Sequence, residues 1–86
     1  MEFATWNYRA IGTDDGEGGR LYSFHEVHYD SNGNITAYSV LPAQLVWENE
    51  DELTRLLERL REASQKPALE LSDLAHVQPV RLTGGE

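Results

Sequence analysis

Residues 20–41 read RLYSFHEVHYDSNGNITAYSVL, and their pattern decides the fold. Aromatic and β-branched residues run on both sides of Ser31-Asn32-Gly33-Asn34, the signature of two strands joined by a tight turn. Asn32-Gly33 supplies two neighbours that tolerate positive φ, as a two-residue type I′ turn requires. With that pair as the loop, Ser31 faces Asn34 and the register follows. Tyr29 is then opposite Thr36, Val27 opposite Tyr38 and His25 opposite Val40 on one face. His28–Ala37, Glu26–Ser39 and Phe24–Leu41 lie on the other. The first face is the more apolar and is the expected core face. Pro42, which has no N–H to give a ladder, ends the third strand near Leu41.

Upstream, residues 3–11 alternate as a first strand, with Ala4, Trp6, Tyr8 and Ala10 on one side and Thr5, Asn7 and Arg9 on the other. The stretch 12–19, with four glycines and three acids, is a flexible connection to the second strand. Downstream, Asn49 and Glu52 have the spacing of a capping box. Leu53, Leu56, Leu57, Leu60 and Ala63 recur at helical spacing, and Pro67 stops the helix. Glu50, Asp51 and Glu52 suit the positive end of its dipole; Arg59, Arg61 and Lys66 suit the negative end. The apolar stripe must cover one sheet face, since no other element offers enough apolar area. Leu69 and Leu71 alternate as a possible short fourth strand, while residues 72–75 read equally as the start of a helical turn.

The expected fold is therefore α+β: a three-stranded antiparallel meander followed by one amphipathic helix packed on one face. Its 86 residues allow one domain, expected over residues 1–75, with residues 76–86 as a flexible tail.

Composition narrows function by exclusion. Fifteen acids against seven Lys and Arg give a net charge of -8, which opposes nucleic-acid or anionic-membrane partners, because both need clustered cations. The chain has no cysteine, so it forms no disulfide, thiolate metal site or cysteine nucleophile. With no apolar run of membrane-spanning length and no signal-peptide pattern at Met1-Glu2-Phe3, the expected location is cytoplasmic.

The candidate chemical motifs also fail on spacing. His25 and His28 fall on opposite faces of a strand and cannot share a metal; Glu26 and His28 share a face but lack a third ligand. Asp30-Ser31-Asn32-Gly33-Asn34 opens like a calcium loop, but Ile35 and Leu41 stand where the glycine and bidentate glutamate belong. Residues 12–19 lack the Lys-Ser/Thr ending of a phosphate cradle, and no helix follows them. No serine has a nucleophile-elbow context. No catalytic residue, metal or cofactor is expected.

Aromatic residues carry the positive reading. Three strands and one helix cannot hide both sheet faces, so some aromatics are expected in an interface, with Trp6, Tyr8, Tyr22, Phe24 and Trp47 as candidates. The expected function is a non-catalytic protein-interaction module, homodimeric through those residues. One alternative is an acidic inhibitor or decoy of a phage or mobile element, presenting Asp14, Asp15, Glu17, Glu48, Glu50, Asp51 and Glu52 to a basic groove. Another is a modifier. The end Arg81-Leu82-Thr83-Gly84-Gly85-Glu86 resembles ubiquitin-like tails, with Gly84 and Gly85 exposed once Glu86 is removed. The ubiquitin-like order of two strands, a helix and then more strands departs from the three strands expected ahead of the helix here.

Three ordered stretches carry a further resemblance: Trp6-Asn7-Tyr8-Arg9 with Ile11, His25-Glu26-Val27 with Tyr29-Asp30, and Lys66-Pro67-Ala68-Leu69. In them the chain resembles a family of small bacterial proteins of uncharacterised function, and the likeness implies neither an activity nor a catalytic residue. In the order of its elements the chain is also similar to HicB-type antitoxin domains, which implies no site.

Overall fold

The hairpin forms around the predicted turn, with one change. The computed structural model describes residues 5–80. Strands β2 (Arg20–Tyr29) and β3 (Ile35–Ser39) are antiparallel, with Val27 opposite Tyr38 and His28 opposite Ala37 as the pattern requires. At the turn Gly33 takes a φ of +85°, whereas Asn32 stays at negative φ. The Asp30 carbonyl accepts the Gly33 N–H at 3.0 Å, and the Asp30 N–H donates to the Asn34 carbonyl at 2.9 Å. The loop is thus a type I turn closed by one left-handed glycine, one residue longer than the expected type I′ turn. Tyr29 consequently pairs with Ile35 rather than Thr36. A bulge at Thr36 restores the register at His28, and its hydroxyl donates to the His28 carbonyl at 3.3 Å.

Strand β1 (Thr5–Asp14) pairs antiparallel with β2 along its whole length. The α+β class holds, and β1, β2 and β3 form the expected antiparallel meander, but the meander is the centre of a larger sheet and not the whole of it. Among the described residues the sheet is five-stranded and mixed, in the order β4-β1-β2-β3-β5. Strand β4 (Leu69–Glu70) runs parallel to β1, and β5 (Gln78–Val80) parallel to β3. The possible short strand read from Leu69 and Leu71 is thus present as β4, whereas β5 is too short to leave a two-residue periodicity and its partner is distant in sequence. Val77 is buried and β5 pairs with β3, so the folded unit continues through residue 80. The rest of the expected tail, with Gly84 and Gly85, lies outside the described residues.

Helix α1 (Glu50–Ser64) starts at the predicted N-cap Asn49, with the returning bond of Glu52 made one residue earlier than in a capping box. Asn49 Oδ1 accepts the Glu52 N–H at 2.9 Å, and Glu52 reaches back to the Glu48 N–H at 2.9 Å. Leu53, Leu56 and Leu60 are half-buried and Ala63 is buried, but Leu57 stands 55% exposed at the margin of the stripe.

The two sheet faces are covered by different parts of the chain. Ile11 and Val27 are fully buried on one face, beneath Leu74 of the 3-10 turn (Leu71–Leu74) and beneath Val77. Tyr29, Ile35, Tyr38 and Leu69 pack around them. Burial of each aliphatic side chain contributes about 1.5–3 kcal/mol. Trp6 and Tyr8, on the opposite face, share it with Glu26 and His28 across the ladder, and this is the side of α1.

Motif residues from three distant stretches meet in one polar network. The Tyr29 hydroxyl donates to Asn7 Oδ1 at 2.8 Å; Arg9 donates to the Tyr29 hydroxyl at 3.2 Å and to the Pro67 carbonyl at 2.9 Å. The last bond ties the end of the helix to β1, where β4 begins. Buried His25 is also structural. Its Nδ1–H donates to the Ser39 carbonyl at 2.9 Å, and its Nε2 is hydrogen-bonded to Ser23 Oγ at 2.8 Å.

Candidate interaction cleft

Along the first half of β1, the helix and the sheet leave a cleft of ≈ 400 Å³. Trp6, Asn7 and Tyr8 form its floor, and Arg55, Glu58, Arg59, Glu62 and Lys66 its wall. Arg55, Glu58, Arg59 and Glu62 recur at helical spacing, so they stand on one side of α1, next to the apolar stripe, and Lys66 follows just past its C-cap Gln65.

Trp6 and Tyr8 meet edge-to-face with ring centroids 5.2 Å apart, and the Arg59 guanidinium lies over the Trp6 ring, 4.7 Å from its centroid. A cation over an indole face is attracted by the ring quadrupole, by about 0.5–1 kcal/mol at an exposed site. Burial pushes the Tyr8 hydroxyl above its ordinary pKa; Glu26 adds to the rise and Arg59 opposes it. The phenol therefore stays protonated at neutral pH, as a hydrogen-bond donor. Arg20 pairs with Glu70, at the far end of β1. Among the described residues, Arg55 and Lys66 line the cleft without a carboxylate partner.

The five aromatics singled out from sequence fall into separate places. Trp6 (37% exposed) and Tyr8 belong to the cleft. Tyr22, 59% exposed, lies across Gly12, where a Cβ would come within 2.7 Å of its ring. Phe24 is half-buried, and its carbonyl accepts the Ala43 N–H at 2.8 Å. Trp47 is 49% exposed at the end of the connector between β3 and α1, whose Val40, Leu41, Leu45 and Val46 are exposed as well. Sequence reasoning assigned Arg59 and Lys66 to the helix dipole and passed over Arg55. Their shared spacing with Glu58 and Glu62 was the signal that could have placed them together.

The acidic runs serve local structure. Asp15 accepts the Glu17 and Gly19 N–H groups and Asp14 accepts that of Gly16, while the acids at 50–52 open the helix. Among the described residues, no three His, Cys, Asp or Glu side chains are grouped to hold a metal ion, and no helix is long and apolar enough to cross a membrane. Compared with protein families, curated proteins and solved structures, the chain matches none, so the reading of this cleft rests on its own geometry.

Proposed function

We propose that this chain is a non-catalytic protein-interaction module whose recognition surface is the cleft between β1 and α1. The observation that carries the reading is Arg59 stacked on a partly exposed Trp6, with Arg55 and Lys66 beside it, neither paired to a carboxylate among the described residues. Tryptophan, tyrosine and arginine in a partly desolvated pocket are the residues that dominate binding energy at protein interfaces. The exposed apolar connector of residues 40–47 offers a second contact area.

Replacing Glu58, exposed on the cleft wall, with a photo-crosslinking phenylalanine tests the reading. Illumination in host extract should give adducts that survive denaturation, either to another protein or to the chain itself. Loss of those adducts on Trp6→Ala, in a variant whose circular dichroism is unchanged, would support the assignment. A cleft that yields no protein adduct would overturn it.

A further inference from the structure

We infer that the occupant of the cleft is a second copy of this chain, paired through the open edge of β1 with the two α1 helices antiparallel above it. The inference rests on the interaction reading and names its partner.

The edge comes first. Phe24 stands opposite Ala10, and its carbonyl points away from β1, toward Ala43. Ala10 therefore turns its own peptide groups away from β2, and by the two-residue period so do Tyr8 and Trp6. Strand β4 covers this outer edge at Ile11 and Gly12 alone, and Pro67, held by Arg9, marks where that cover starts. Among the described residues no strand pairs with the outer edge at Trp6 and Tyr8. An unpaired edge is a template for another strand. The open length spans residues 5–9, and its centre is Asn7. A two-fold axis there sets Trp6 opposite Tyr8 of the second copy, with main-chain bonds at both pairs.

The helix meets the same axis. A two-fold perpendicular to the sheet makes the two α1 helices antiparallel. Arg59 lies over Trp6, which places the middle of the wall above the open edge. Antiparallel pairing about the point between Glu58 and Arg59 brings Arg55 against Glu62 of the second copy, and Glu58 against its Arg59. Every contact joins opposite charges, and each occurs twice, as an isologous interface requires. A different acidic peptide would answer Arg55 and Lys66 but would leave Glu58 and Glu62 facing its own carboxylates.

Charge reversal tests the pairing in the full chain. Sedimentation should show the wild type at twice the chain mass. Arg55→Glu alone sets two carboxylates against Glu62, and Glu62→Arg alone sets two cations against Arg55. Each should weaken self-association about tenfold or more. An equimolar mixture of the two variants regains both opposite-charge pairs and should return to the dimer mass. Both substitutions are on exposed helix positions, and unchanged circular dichroism establishes that the fold is kept. A wild type that stays monomeric at its highest soluble concentration would overturn the proposal, as would a mixture no better associated than its components. If adducts at position 58 then join the chain to a different protein, self-pairing fails while the interaction reading stands.

Discussion

Asp30 and Gly33 set the β2–β3 turn between them. The Asp30 carboxylate accepts the N–H groups of Asn32 and Asn34, at 2.8 and 3.0 Å. The Asn34 bond, the largest cause, together with that of Asn32 holds its carboxyl below the ordinary 3.8. Asp15 is lowered in the same way by the Glu17 and Gly19 N–H groups. A depressed folded-state pKa stabilises the fold above the unfolded value, and that contribution is lost as pH falls through the folded one. Thermal stability should therefore decline below about pH 4, and Asp30→Asn should flatten part of that decline. Gly33→Ala places a Cβ at φ +85° and should cost about 1 kcal/mol in chemical denaturation. At this scale the sequence was partly legible. Asn-Gly marked the turn, but a tight turn and one with a left-handed closing glycine use the same dipeptide, and the one-residue difference displaced Tyr29 from Thr36 to Ile35.

Among the elements, α1 was the most legible, because its cap, stripe and stop all lie within one local stretch. Asn49→Ala removes the side-chain acceptor of the Glu52 N–H and should destabilise the chain by about 1 kcal/mol, measured by urea unfolding. The short strands were less legible for the opposite reason. Leu69 and Leu71 hinted at β4 but not at its parallel pairing with β1, and the three residues of β5 show no pattern, because parallel partners far away in sequence provide what local pattern cannot. The layering followed from them. The face of Ile11 and Val27 is sealed by residues 71–77, after the helix, and α1 is left to the side of Trp6. Ile11→Ala opens that seal and should cost about 2–5 kcal/mol in the same unfolding measurement.

For the whole molecule, the sequence showed that aromatic residues exceed what one helix can cover, but not which ones gather. Trp6 and Tyr8 do; Tyr22 and Trp47 stand elsewhere. Their neighbours Arg55 and Arg59 come from a helix, and Lys66 from just past its end, all more than forty residues away in sequence, so no local motif announced the cleft. The wider acidic surface also hid a wall that carries both signs of charge in a self-complementary order. Edge and wall share one feature: among the described residues each lacks a partner, and in the proposed dimer each is satisfied by a second copy about the same axis. The measurement that tests this most directly is backbone amide exchange at Trp6 and Tyr8, followed across protein concentration alongside sedimentation. Self-pairing predicts that both amides exchange freely in the monomer and become protected in step with the doubling of mass. Exchange that stays free at every concentration would contradict it.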